Sequence, residues 1–441
     1  MKRYLYIVCS FMAIGSFAKA QQNNAVLADS AGVDECVQYA LKHYPEVQQQ
    51  YINEKITNSQ IKTRLADWYP QIGMNADLQH YFQVPRTLNG GQVVNAGVRN
   101  TSGVDFGLTQ NIFSRDALLA SQTKGTVIQA AQQNTAATKI DVAAGVRKAF
   151  YDVLLTREQI NVLDEDIIRL KKSLHDATSL YNAGFTDPTD YKRATISLNN
   201  SVAQQRAQQA LLVSKYATLK QLMGYPNDQA LNLRTADASF LEQEAVFDTT
   251  TAAQPQNRIE YKQLQTQLAL DAANVKYQKW SYIPTLSGVA QYNLAFMSNS
   301  SFGNMFNRNY PNSFVGLQLG FPIFQGGKRT QNIHIAEMQM DVDKLGQDNL
   351  ANSINAEYQN TLAVYKGDLV NYTTLKDNVE LAREVYKTIS LKYQVGGIIT
   401  YLDVINAETD LRTAEINYSN ALYQLIIDKV DIEKSLGLIQ Y

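Results

Sequence analysis

Two carboxylates stand in matched surroundings in this chain. Asp190 lies six residues after Gly184 and Asp403 six residues after Gly397, and the two sets are offset by 213 residues. Each aspartate falls at the third position of an expected helix, behind Asp187-Pro188 in one case and Thr400 in the other. A carboxylate there completes a capping box with the helix start and offsets the positive end of the helix dipole. Repeated around a narrow symmetric opening, it would also form a ring of negative charge. These roles make and break no bonds. Residues suited to covalent or acid–base chemistry are dispersed: His43, His80, His175 and His334 stand apart, and none belongs to an H-E-x-x-H pair. Neither a Gly-Lys-Ser/Thr phosphate loop nor a Gly-x-Ser-x-Gly elbow is present. The sequence therefore assigns no catalytic residue, no metal ligands and no cofactor, and implies a protein that is not an enzyme. If it transports anything, the energy comes from partners.

The glycines preceding these aspartates end long helical patterns, where a positive φ costs glycine little. Gly184 closes the first pattern and Gly396-Gly397 the second. Proline suits the first helical position, and Asp or Thr suits the cap. The correspondence continues through Ala194 and Ala407, Leu198 and Leu411, and Gly224 and Gly437. Upstream, Trp68-Tyr69-Pro70 answers Tyr282-Ile283-Pro284, and Asn111-Ile112-Phe113 answers Pro322-Ile323-Phe324. Solenoid repeats run about 20–50 residues. This much longer period marks a duplicated unit, read here as 33–224 and 258–441, with 225–257 between the halves.

Between Ser114 and Tyr181 the chain reads as one helix, with a seven-residue row of Val146, Val153, Ile160, Ile167, Leu174 and Tyr181. Its neighbour runs Ala149, Thr156, Leu163, Leu170 and Ala177. The second half repeats the spacing with Tyr358, Tyr365, Tyr372, Val379, Tyr386 and Tyr393, and the returning helix with Val404, Leu411, Tyr418, Leu425 and Ile432. Sustained heptads of this kind predict coiled-coil packing. Some sixty residues at 1.5 Å each give a rod of about 100 Å, longer than a globular domain needs. Polar positions such as Asn199, Gln205, Gln208 and Asn420 keep another face hydrated.

Four segments alternate instead with period two: 71–82, 104–113, 286–297 and 314–324. Ile72, Met74, Ala76 and Leu78 oppose Asn75, Asp77 and Gln79; Val315, Leu317, Leu319 and Phe321 oppose Gln318 and two glycines. Segments of about ten residues with this pattern and aromatic ends suit strands facing lipid on one side. The linkers 84–103 and 298–313 read as polar loops that join each pair into a hairpin. Four strands cannot close a barrel, and an open edge in lipid leaves backbone groups unsatisfied, so copies of the chain must associate.

Lys2 and Arg3, an apolar stretch from Tyr4 to Phe17 and Ala18-Lys19-Ala20 form a secretory-signal pattern. Residues 1–20 are read as a signal peptide and 21–32 as an N-terminal tail. The mature chain then keeps one cysteine, Cys36, expected as a buried small hydrophobe. A net charge of −1 without a Lys/Arg block argues against nucleic acid as a partner. The 26 tyrosines suit half-wet surfaces, where a ring packs and a hydroxyl meets water.

Taken together, the duplicated halves, the strand pairs between long helices, Phe321-Pro322-Ile323-Phe324-Gln325-Gly326-Gly327-Lys328-Arg329 and the Gly397, Asp403, Val404, Ala407 series resemble the outer membrane efflux protein family, the TolC-like export ducts. Asp34-Glu35-Cys36-Val37-Gln38-Tyr39-Ala40-Leu41 is similar to the family's first helix. The resemblance implies a homotrimer in the outer membrane of a Gram-negative bacterium. Each chain would give four β-strands to a shared transmembrane β-barrel and its coiled-coil helices to a periplasmic α-helical tunnel, with 225–257 at the tunnel's waist. It implies passive export in a tripartite efflux or type I secretion system, with a periplasmic adaptor (membrane fusion) protein and an inner-membrane transporter as partners. The helix turns at Gly184, Gly396 and Gly397 would meet the adaptor and close the periplasmic entrance, near Asp190 and Asp403. Ile399 stands where an arginine gate link can lie in the family, and Asn406 where a second entrance aspartate can lie, so that ion pair does not carry over. The alternative reading is a structural or adhesive coiled-coil protein of the envelope.

Overall fold

A computed structural model describes residues 30–234, 238–395 and 399–441. The segment read as a signal peptide lies outside them, as do Gly396 and Gly397. The first half begins with helices α1 (Val33–His43) and α2 (Pro45–Leu65) and a 3-10 turn, Ala66–Trp68. Strands β1 (Gln71–His80), β2 (Arg86–Asn89), β3 (Gln92–Asn95) and β4 (Asn100–Phe113) follow, then helices α3 (Arg115–Asn182) and α4 (Pro188–Met223). Helix α5 (Ala238–Ala245) lies between the halves. The second half runs α6 (Ile259–Lys279), a 3-10 turn at Trp280–Tyr282, β5 (Thr285–Ser298), α7 (Phe302–Met305), β6 (Asn309–Gly320), α8 (Lys328–Gln394) and α9 (Tyr401–Leu436).

The main helices of the two halves match in length and order. α2 and α6 each have 21 residues and end in a 3-10 turn, α3 and α8 have 68 and 67, and α4 and α9 have 36 each. At 1.5 Å per residue α3 and α8 are rods of about 100 Å, and α4 and α9 reach about 54 Å. The shorter helices fill the remainder. α4 ends at Gly224 (φ +65°), where a Cβ would stand 2.7 Å from the His43 carbonyl oxygen, at the junction of α1 and α2. α9 ends at Gly437 (φ +73°), where a Cβ would stand 3.0 Å from the Asn257 carbonyl oxygen, just ahead of α6. Both glycines take the left-handed C-terminal cap and permit a close backbone approach. Thus α4 is followed end to end by α2 along α3, and α9 by α6 along α8.

All four long strands form one antiparallel sheet in the order β1-β4-β5-β6, so the hairpins of the two halves lie side by side. Its register lines up the alternation: Ile72, Leu108, Ala290 and Val315 form one cross-strand row, and Asn75, Asp105, Asn293 and Asn312 form a row on the opposite face. On the polar face Asp105 accepts from Gln291 Nε2 at 3.0 Å and from the Asn293 amide. On the apolar face Ile72 is 75% exposed and Val315 87% exposed, so within one chain this row has no cover. β1 and β6 each leave one edge unpaired in the sheet.

Several strand bounds differ from the sequence reading. β6 begins at Asn309 and stops at Gly320, so 321–324 leave the sheet. Pro322 has no N–H for a ladder, and Gly326 and Gly327, both at positive φ, turn the chain into α8. β1 ends at His80, and β4 starts earlier, at Asn100. The linker read as a polar loop carries the β2–β3 hairpin, whose two central turn residues, Gly90 and Gly91, have φ of +59° and +79° as a two-residue hairpin turn requires.

The main core gathers α1, the middle of α3, the end of α4, Tyr225, Leu231, Leu233, Leu241 and Ala245 from between the halves, the middle of α8 and the end of α9. Cys36 is fully buried there, and burial pushes its thiol up to about 12, the behaviour of a small hydrophobe. Tyr365, from the heptad row of α8, donates its hydroxyl to the Ala245 carbonyl at 2.9 Å and accepts from the Phe247 amide at 2.9 Å. The inter-repeat segment is thereby fastened to the rod.

Candidate entrance at the paired helix turns

The C-terminal ends of α3 and α8 and the N-terminal ends of α4 and α9 meet. Ala177 of α3, Ala194 of α4 and Tyr401 of α9 form a small buried cluster, flanked by Leu174, Tyr191, Tyr393 and Ile405. Both alanines are small, and their size lets the helices approach. The Tyr401 ring is 2% exposed, and its hydroxyl hydrogen-bonds Ser173 Oγ of α3 at 2.9 Å. Burial raises that phenol to about 12. Tyr393 stacks at an angle on Tyr401, with ring centroids 5.6 Å apart, and Tyr181 on Tyr191 at 5.1 Å.

The two repeated aspartates differ. Asp403 is exposed and completes a reciprocal capping box: its Oδ2 accepts from the Thr400 amide at 2.9 Å and the Thr400 hydroxyl at 2.7 Å. These bonds, the hydroxyl's first, hold its carboxyl below the usual carboxylate range. Asp190 forms no such box, contrary to the sequence reading. The N-cap of α4 is Asp187, itself a carboxylate, which accepts from the Thr189 amide at 2.7 Å and from the Thr189 hydroxyl. A second carboxylate drawn to the same cap would be repelled. Asp190 is instead half-buried, and burial followed by the Asp187 charge raises its carboxyl. Its charge in turn helps raise the phenols of Tyr393 and Tyr401, after burial. Ile399 is half-buried beside the Thr400 cap, and Asn406 is exposed about one turn beyond Asp403. Gly184 takes φ +81° with open space around it.

Above the turns, α3 and α9 run antiparallel along a seam of polar contacts between the two repeats. After Ser173 and Tyr401 come Asp166 with Arg412 at 3.4 Å, Gln159 with Asn420 at 2.7 Å, Lys148 with Asp431 at 2.5 Å and Asp141 with Lys434 at 2.7 Å. The sequence reading missed this ladder. Part of its signal is a heptad row on α3 one place ahead of the apolar one: Gln159, Asp166 and Ser173 beside Ile160, Ile167 and Leu174. A polar residue beside a coiled-coil row is ordinarily solvated, and which partner faces it depends on how the two halves pair. Among the described residues no helix is long and apolar enough to cross a membrane, and no group of three or more His, Cys, Asp or Glu is placed to hold a metal.

A match to the family described as Outer membrane efflux protein covers residues 36–225 and 247–438. The chain is 22% identical over 452 residues to the outer membrane protein TolC of Escherichia coli K12, covering 100% of this chain and 87% of that one. It is 21% identical over 310 residues to the proteases secretion protein PrtF of Dickeya chrysanthemi, covering 68% of this chain and 64% of the other. Its fold superposes on the crystal structure of CusC with a TM-score of 0.74 at 15% identity, covering 93% of this chain and 95% of that chain.

Proposed function

The chain belongs to the outer membrane efflux protein family, and we propose that it works there as a passive exit duct, carrying efflux or type I secretion cargo out of a Gram-negative cell. Family and fold are those of channel proteins rather than enzymes. Three copies would combine their four-stranded sheets into one twelve-stranded barrel, closing β1 of one copy on β6 of the next. The observation that carries this reading is the sheet itself. Its apolar row runs unbroken across all four strands and has no cover, its polar row faces the other way, and its two outer edges are unpaired. Lipid around a closed ring satisfies both demands, since only closure leaves no unpaired backbone in hydrocarbon. The polar face then lines water, continuous with a tunnel of α3, α4, α8 and α9.

In the same reading the paired turns are the periplasmic mouth. Asp190, Asp403, Asn406 and Ile399 surround the opening, and the turns at Gly184, Gly396 and Gly397 present it to a periplasmic adaptor and an inner-membrane transporter. Each turn holds its own two helices together covalently, whereas α3 and α9 are joined at that end only by side chains. Opening therefore parts the hairpins along the α3–α9 seam. The test is insertion of detergent-purified full-length protein into planar bilayers, with its mass measured in parallel. Discrete conductance from a trimer is expected. No conductance from either the wild type or Asp403→Ala would favour a structural stalk in the envelope.

A further inference from the structure

The densest part of the α3–α9 seam holds a carboxyl that the entrance reading does not use. Glu408 of α9 is 2% exposed, and neither of its oxygens has a hydrogen-bond partner among the described residues. The nearest cationic atom, Arg169 Nε, also has no hydrogen-bond partner among the described residues, while the rest of that guanidinium and the other charged groups nearby are turned elsewhere. From α3, Asp166 is fully buried and Arg169 lies 3.6 Å from Glu408 Oε1, but Arg169 also serves Glu415 at 3.3 Å, Glu165 at 3.7 Å and Asp166 at 3.9 Å. From α9 itself, Arg412 is turned to Asp166 and to Ser201 Oγ, at 2.8 Å, and Ser201, which α4 contributes, donates to Asp166 Oδ2 at 2.6 Å. From α8, Tyr386 feels the Glu408 charge, and Arg383 lies 3.5 Å from Glu415. Tyr401 completes the surroundings toward the turn.

We propose that Glu408 is a proton-operated latch on the α3–α9 seam: protonated, it lets the two repeats pack; ionised, it drives them apart and favours opening of the entrance. The part concerning the entrance rests on the duct reading above; the part concerning the seam does not.

The enclosure of the carboxyl explains the latch. With Glu408 neutral, Asp166 is held by Arg412 and Ser201, and Glu415 by Arg169 and the exposed Arg383. With Glu408 ionised, a third buried carboxylate competes for the same guanidinium and faces Asp166. Burying a charge without its own partner is costly, and a group so placed keeps its proton instead. Burial, then the Asp166 charge, push the Glu408 carboxyl up to about 8, against the opposing pull of Arg169 and Arg412. When the seam parts, water solvates the carboxyl and its pKa returns toward the ordinary value of 4.5. A group whose pKa is raised in the packed state binds its proton more tightly there. Packing is therefore fully favoured below about 4.5, and that advantage is lost as pH rises to about 8. One proton changes the packed-to-parted ratio by up to about tenfold per pH unit across that window.

The experiment is amide hydrogen exchange of 401–415 in the detergent-purified full-length protein between pH 5.5 and 8.5, corrected for intrinsic chemical exchange. In the wild type, protection should fall as pH rises, by up to about tenfold per unit. Glu408→Gln, a neutral isostere, should be well protected and flat. Asp166→Asn should move the transition to lower pH, because it removes the charge that opposes ionisation. A flat wild type, or a slope that survives in Glu408→Gln, would overturn the proposal. Conductance recorded on the same samples separates the two readings. A normal channel with flat exchange sinks the latch alone, and pH-dependent exchange without conductance sinks the duct alone.

Discussion

Replacing Gly224 with alanine tests the stacking of α4 on the α1–α2 junction, which gives the first repeat its second rod. Two costs enter. The residue sits at φ +65°, and a side chain in the left-handed region costs about 1–2 kcal/mol. The new methyl would also stand 2.7 Å from the His43 carbonyl oxygen and 3.0 Å from Tyr44 Cα, both backbone atoms that cannot swing aside. Forcing that overlap adds about 1–3 kcal/mol. Gly184 is the control, because its φ of +81° carries the first cost while no atom lies within 4 Å to impose the second. Gly437→Ala, whose methyl would be 3.0 Å from the Asn257 carbonyl oxygen, should fall between them. The assay is apparent thermal unfolding followed by helical circular dichroism in one detergent. The expected order of damage is Gly224→Ala, then Gly437→Ala, then Gly184→Ala. Equal shifts for Gly224→Ala and Gly184→Ala would mean that helix ends merely need a turn there and that the rods are not stacked.

Three further outcomes follow from single contacts. Tyr365→Phe leaves the Ala245 carbonyl and the Phe247 amide without their partner, a loss of about 1–3 kcal/mol, and should speed proteolysis around 245–250 in limited digests. Val315→Arg puts a charge on the apolar row at a cost of about 2–4 kcal/mol if it faces mid-bilayer, whereas Gln318→Arg on the opposite face should be mild. Heat resistance of the membrane-extracted oligomer reads that difference. If the proposed trimeric mouth lies at these turns, Ile399→Asp would crowd like charges beside Asp403 and should raise the entry of a vancomycin-sized antibiotic into cells; unchanged sensitivity would remove Ile399 from the mouth.

The elements were largely legible because each repeats a simple period. Heptad rows such as Val146 to Tyr181 fall on α3, and the Ile72 and Val315 alternations fall on β1 and β6. Where local chemistry broke a period, the reading slipped: Phe321 continues the alternation by type, but Pro322 ends the ladder. The β2–β3 hairpin hid in a polar linker because its strands are four residues each and its one clear signal was Asn89-Gly90-Gly91. Asp190 and Asp403 looked equivalent since their spacing is the same. The distinction lies at the N-cap, where a threonine invites a second carboxylate and an aspartate rejects it. Glu408 was invisible for a different reason. Its surroundings come from α3, α4 and α8, and no spacing within α9 reveals that a glutamate beside Ala407 will be enclosed.

That last residue bears on why a duplicated chain would keep charge in a helix seam at all. Exposed ion pairs contribute about 0–1 kcal/mol each, and enclosed ones roughly repay their own desolvation. The α3–α9 ladder therefore adds little net strength compared with an apolar seam of equal area, which would gain about 25 cal/mol per Å² buried. What it adds is register, because each rung names one partner, and reversibility, because each group that separates is received by water. An apolar seam would have to expose its surface on parting and would resist doing so. If the hairpins part as proposed, they are better served by rungs than by grease, and Glu408, whose oxygens have no hydrogen-bond partner among the described residues, is where a single proton can tip the balance.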